Sequence, residues 1–307
     1  MTALRVLAVA AVVAALALPL GATAYLLGFT LQLFMYVALA GSWNIISGFT
    51  GYTSFGHVAF FGIGAYTAAI LITRQAVGWG WASLAGGAAA AALGLPVGAI
   101  CLRLKGPYFA IAMLGFAESL RVLATLWTSL TRGGTGISLP PIASLVPTYY
   151  AMLACGGAVL ALNYRIATSS FGLRLLSIRE DETGAEAIGI NTTAHKVGAF
   201  VLSTVFPGIV GGIYAQYISY VDPVSIFLPL VTVQMIIMVI LGGAGTVLGP
   251  ALGATAILGV QEVLWARFPE VHQGLLGVLV IIVILFIPGG VLEVLKDRRL
   301  LPRVRGI

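Results

Sequence analysis

The chain reads as an all-α, polytopic membrane protein with about ten transmembrane helices. Three observations carry this reading. Hydrophobic residues make up 60% of the chain and charged residues 8%, against about 25% charged in soluble domains. Long apolar segments recur, matching the roughly 20 residues that cross a hydrocarbon core about 30 Å thick. The short alternating strands of a transmembrane barrel are not seen, and 39 glycines suit close helix packing in lipid.

The apolar segments are 4–27, 30–47, 55–73, 82–102, 107–128, 146–164, 197–218, 227–242, 249–266 and 271–289. They form one transmembrane domain over 1–307, with no appended soluble domain. Arg5, the run Val6–Leu18 and Ala22-Thr23-Ala24 have the features of a cleavable signal peptide. Apolar sequence resumes at once, so a retained first span is expected. With ten spans and a cytoplasmic N-terminus, twelve of the 16 basic residues fall inside, and only Arg74, Arg132 and Arg267 fall outside. That bias satisfies the positive-inside rule and puts both termini in the cytoplasm.

Net charge is +6, but the basic residues lie at span ends, so nucleic acid is not an expected partner. The basic tail, 296–307, reads as a topology signal attracted to anionic lipid. Cys101 and Cys155 sit in apolar spans and form neither a disulfide framework nor a metal motif. No G-x-x-x-x-G-K-[ST] loop occurs, and His57, His195 and His272 lie far apart in sequence. Neither catalytic residues nor a bound metal is expected.

Polarity concentrates in 165–196. This stretch holds Arg165, Arg174, Arg179, Glu180, Asp181, Glu182, Glu186 and Lys196 between apolar spans. Such a block cannot enter hydrocarbon, so it is expected as a cytoplasmic loop able to dock a soluble partner. Glu180, Asp181, Glu182 and Glu186 are expected on or beside a short helix.

Two further stretches could carry transport chemistry. Residues 44–57 combine Asn44, Ser47, Thr50, Thr53, Ser54 and His57 with glycines at 48, 51 and 56. This is either a broken helix lining a pathway, which survives at membrane depth only when protein or water satisfies it, or a turn between spans. In the span opened by Gly106-Pro107, Glu118 and Arg121 lie three residues apart, on one helix face. Ionisable groups at that depth are costly, so they are either a buried pair joining helices or part of the pathway. Glu262 is a further acid within a span. Residues 131–137 and 241–250 read as Gly-rich turns.

Taken together, these blocks resemble the LivM-type permeases of branched-chain amino acid ABC importers. The similar blocks are Gly48–Tyr66, Tyr108–Arg121, Thr131–Ile137, Ile178–Phe200 and Leu241–Ala254, in that order. The resemblance implies an importer subunit working by alternating access, with a LivH-like second permease, two cytoplasmic ATPases and an extracytoplasmic binding protein. It implies that ATP is bound by those partners and that this chain carries no cofactor. It places ATPase coupling at Arg179, Glu180, Asp181, Glu182 and Glu186. The substrate pathway is expected at Asn44, Gly48, Gly51, Tyr52, Ser54, His57, Glu118 and Arg121. Tyr52 stands where the family often has Gln, and Pro107 where it often has Asp. A permease for urea or short amides, and an ion-coupled secondary transporter, remain the alternatives.

Overall fold

The computed structural model describes residues 12–267, together with positions 10, 274 and 277. The expected span 271–289 and the tail 296–307 lie outside the described residues, as does most of the first half of 4–27. Within them the chain is almost wholly helical, and seven stretches are long and apolar enough to cross a membrane.

The first long helix, α1, is Ala24–Thr50. It starts four residues before the expected boundary at 28–29, because Thr23 caps it by accepting the Leu26 N–H at 3.3 Å. It ends where Gly51 turns left-handed at φ +77° and returns its N–H to Ser47. Three spans follow: α2 (His57–Gln75), α3 (Trp79–Cys101) and α4 (Pro107–Leu126). After the short α5 (Thr128–Thr131) comes α6 (Val146–Thr168). The charged stretch folds as α7 (Ser170–Glu180) and α8 (Glu182–Ala187), and α9 (Thr192–Ile218) returns to the bundle. The expected span 227–242 is split. Leu228 is extended ahead of Pro229, separating the one-turn α10 (Pro223–Ile226) from α11 (Pro229–Gly242). Last comes α12 (Gly249–Arg267).

Helices α2, α3 and α9 cross almost backbone to backbone. A Cβ on Gly64 would stand 1.9 Å from the Gly208 carbonyl oxygen, and one on Gly211 would stand 2.0 Å from that of Phe61. Close approach through small residues is how helices associate where lipid removes the hydrophobic drive. Pro96 in α3 and Pro207 in α9 lie inside their helices, where neighbouring helices tolerate them.

The connections sort to two ends of the bundle. At one end, Arg179 donates to the Gly48 carbonyl at 2.7 Å and Asn44 to that of Thr246 at 3.0 Å. At the other, Arg74 donates to the Leu130 carbonyl at 3.1 Å. There Ile137–Ser138 (β1) also pairs antiparallel with Tyr220–Val221 (β2). This alternation matches the expected threading between 24 and 267.

Candidate functional site

The site is built around the 51–56 connection. Its backbone has no helix to satisfy it, so α1 side chains do so. Trp43 Nε1 donates to the Ser54 carbonyl at 2.8 Å, and Ser47 Oγ donates to that of Tyr52 at 2.9 Å. The stretch 44–57 is thus the end of one helix, a six-residue connection and the start of another. Buried backbone polar groups need such partners.

The ring of His57 is fully buried among Phe60 and Phe200. Its two nitrogens lie 2.9 Å from Ser54 Oγ and 3.1 Å from Ser203 Oγ. Asn44 is also fully buried. Its Nδ2 reaches Asn163 Oδ1 at 2.9 Å on α6, and its Oδ1 accepts the Gly245 N–H at 2.8 Å. Gly48 lies against the same loop, where a Cβ would come 2.6 Å from the Gly245 nitrogen. Asn44, Ser54 and His57 therefore spend their hydrogen bonds inside the protein, in a closed arrangement.

Tyr52 turns the other way, toward the charged segment. Its hydroxyl donates to Glu182 Oε2 at 2.6 Å. Lys196 Nζ stands 2.7 Å from Glu182 Oε1, 3.1 Å from the Tyr52 oxygen and 3.3 Å from the Leu102 carbonyl. It also lies 4.7 Å from the centre of the Tyr52 ring. Lys196 is only 3% exposed. A lysine is almost never buried without a partner, and here a carboxylate, a hydroxyl and a carbonyl surround the ammonium. Burial raises the Glu182 carboxyl. The bonds from Lys196 and Tyr52, with the charges of Lys196 and Lys105, outweigh it and hold the group below the usual carboxylate range. Burial and the adjacent Glu182 push the Tyr52 phenol up.

The acidic residues divide by role. Asp181 ends α7 and caps α8, accepting the Thr183 N–H at 3.0 Å. Glu186 accepts from Thr192 Oγ1 at 2.6 Å, tying α8 to the start of α9. Glu180 is exposed and borders a cleft of about 360 Å³ with Phe49, Ser177 and Gly245. Arg179 passes over Gly51, whose Cβ position is 3.3 Å from the Arg179 Cγ. The charged segment is therefore fastened to α1, the 51–56 connection and α9 at once.

Glu118 and Arg121 do pair. Arg121 Nε donates to both carboxylate oxygens at 3.0 Å, and Nη2 closes the fork. Among the described residues the pair joins no two helices, because its side chains are 48% and 31% exposed on α4. A double-mutant cycle is expected to show coupling. Glu118→Gln alone should lower the thermal stability of the membrane-embedded protein more than Glu118→Gln with Arg121→Leu, since the single change strands a cation. Equal losses would show two independent groups.

Lys196, Asn163 and Ser203 were not among the expected site residues. Asn163 was visible as the lone amide in the run 146–164. Lys196 looked like one more topology-setting charge, since only the fold brings Glu182 and Tyr52 to it.

A family model described as the branched-chain amino acid transport system / permease component matches residues 25–284. The high-affinity branched-chain amino acid transport system permease proteins LivM of Salmonella typhimurium and Escherichia coli are both 29% identical to this chain. Each comparison covers 86% of this chain and 69% of the relative. The probable branched-chain amino acid transport permease protein LivM of Methanocaldococcus jannaschii is 27% identical, over 57% of this chain and 54% of its own length. No solved structure matches. The family match takes in every helix from α1 to α12, including the fastened charged segment, and so this multi-pass membrane protein belongs to the branched-chain amino acid transport permease family.

Proposed function

We propose that the chain is one of two pore subunits of an ATP-driven importer for leucine, isoleucine and valine. In this reading α7 and α8 face two cytoplasmic ATPases, a LivH-like permease completes the pore, and a binding protein delivers substrate from outside. Closure of the ATPase dimer moves α7–α8. The bonds from Arg179, Glu182 and Lys196 carry that movement to α1, the 51–56 connection and α9. The pathway runs beside 44–57 and α4, and the buried groups of 44–57 become accessible as the helices rock. The observation that carries the reading is the buried Lys196–Glu182–Tyr52 cluster, which gives a surface-docked motor a rigid grip on the membrane helices.

Mass spectrometry of proteins co-purifying in mild detergent, with uptake by the reconstituted complex, tests this. Two ATPase chains, a second permease and uptake of labelled leucine are expected. Uptake of urea without leucine would move the substrate to short amides, and a lone homodimer would favour an ion-coupled carrier. Glu182→Lys with Glu186→Lys is expected to leave membrane insertion intact and lower leucine taken up per ATP hydrolysed at least tenfold. Normal uptake in that double variant would sink the coupling assignment.

A further inference from the structure

The Gly-rich stretch 241–250 closes a tight hairpin between α11 and α12. A Cβ on Gly242 would run into the Gly249 carbonyl, and one on Gly253 into that of Met238. Thr246 Oγ1 locks the turn itself, donating to the Gly243 carbonyl at 2.7 Å and accepting the Gly249 N–H at 3.1 Å. Helices packed this closely have no room to slide, so α11 and α12 form one unit.

The tip of that hairpin meets α1 at Asn44. This residue precedes the α1 end at Thr50 by six positions, about 9 Å at 1.5 Å per residue. Backbone groups of a buried turn need partners, and one amide supplies two of them. Asn44 Oδ1 accepts the Gly245 N–H at 2.8 Å, and Nδ2 donates to the Thr246 carbonyl at 3.0 Å. Nδ2 also donates to Asn163 Oδ1 at 2.9 Å. Asn163 is itself pinned, donating to the Gly41 and Val159 carbonyls at 2.9 Å each. Both asparagines are fully buried. The Asn44 amide therefore has one orientation available, the one that matches the turn. A buried network satisfied in this way is rigid.

Arg179 brings the charged segment to the same point. Its Nη1 donates to the Gly48 carbonyl, and a Cβ on Gly245 would stand 2.9 Å from that nitrogen. Gly48 and Gly245 touch backbone to backbone, and Gly245 holds φ at +77°, a conformation that favours glycine. The Lys196–Glu182 pair, by contrast, ties the segment to α9. We infer that Asn44 is a positioning residue that fixes the 243–249 turn to α1, so that movement of the charged segment reaches α11 and α12 as well as α9. The inference rests on the importer reading above and adds a second route of transmission to it. That route is a contiguous set of hydrogen bonds and rigid helices, the physical form in which coupling is carried between distant parts of a protein.

The test uses the complete complex in vesicles, with Cys101 and Cys155 replaced by Ala and one reporter, Val247→Cys, placed in the turn. Val247 is 6% exposed, so the reporter thiol should react slowly with N-ethylmaleimide. Asn44→Leu, which keeps the bulk and removes the hydrogen bonds, is expected to speed that reaction at least tenfold. A separate reporter in α9, Val210→Cys, sits at a fully buried position and should not change. ATP hydrolysis should stay within about twofold while leucine taken up per ATP falls at least tenfold, whereas a loss of folding would lower hydrolysis and uptake together. Gly245→Ala strains the turn and crowds Arg179 with Asn44 intact, and should give the same pattern. Val247→Cys reactivity unchanged in both variants, a rise shared by Val210→Cys, or unchanged uptake per ATP with a loosened turn would overturn the inference. Failure of the importer reading is distinct: the unmodified complex would then take up no leucine, while the reactivity measurements stand without transport.

Discussion

Lys196→Met is expected to uncouple the protein more severely than any other single change in the charged segment. The substitution keeps much of the length of the side chain and removes its charge. Glu182 is then left with the Tyr52 hydroxyl and with Lys105, which is 4.0 Å away and 68% exposed. Breaking a buried ion pair by removing one partner costs about 3–5 kcal/mol. Glu182 keeps 16% of its side-chain surface, so water offsets part of this and the lower end of that range applies. Leucine uptake per ATP hydrolysed should fall at least tenfold. Lys196→Met with Glu182→Gln should recover part of the stability, because no charge is then stranded. A double variant as unstable as the sum of the singles would show that the two residues act separately. The pH dependence follows from the sign of the Glu182 shift. Its carboxyl is held lower in the folded protein than unfolded. The pair's contribution is therefore full above the unfolded value, about 4.3, and is lost as pH falls through the lower folded value. Thermal unfolding from neutral pH down to about 4.5 should show a steady gap between wild type and Lys196→Met, closing only in more acid solution.

Gly208→Leu should remove most of the folded protein from the membrane. A Cβ at that position stands 2.6 Å from the Ala90 Cβ and 2.6 Å from the Gly86 carbonyl oxygen. Overpacking a core costs typically about 1–3 kcal/mol when side chains can shift. Here the obstacle is partly backbone, and α2, α3 and α9 would have to separate, so a larger loss is expected. Gly157→Leu is the control, since a Cβ at Gly157 meets nothing within 4 Å. Size-exclusion yield after detergent extraction should collapse for the first and hold for the second. Equal yields would mean that the glycine crossing is not what holds these helices together.

The helices were legible because their cause is local. A run of apolar residues declares roughly its own length, although α1 begins at Ala24 rather than 30 and α9 at Thr192 rather than 197, where Thr23 and Asn191 cap them. A short helix was expected beside the acidic cluster from its charge density, and Glu182–Ala187 forms one that Asp181 caps through the Thr183 N–H. Where the reading ran short, two distant signals had to be combined. Residues 44–57 could be read either as the lining of a pathway or as a turn, because the sequence shows which groups are polar and hides which are engaged. Their partners, Asn163, Ser203 and Gly245, lie more than a hundred residues away in the chain.

By itself, the sequence determined that this is a helical membrane protein, that 165–196 is too charged to lie in hydrocarbon, and that Glu118 and Arg121 share a helix face. Those conclusions rest on hydropathy, charge and helical period, which are properties of neighbours along the chain. Only the tertiary structure decided that Tyr52 joins the charged segment, that Lys196 is buried between them, and that the Glu118–Arg121 pair lies exposed on α4 among the described residues. Each depends on which helix faces which. The physical reason is that a polar group in a membrane protein takes its meaning from the partner that satisfies it, and packing supplies that partner from anywhere in the chain.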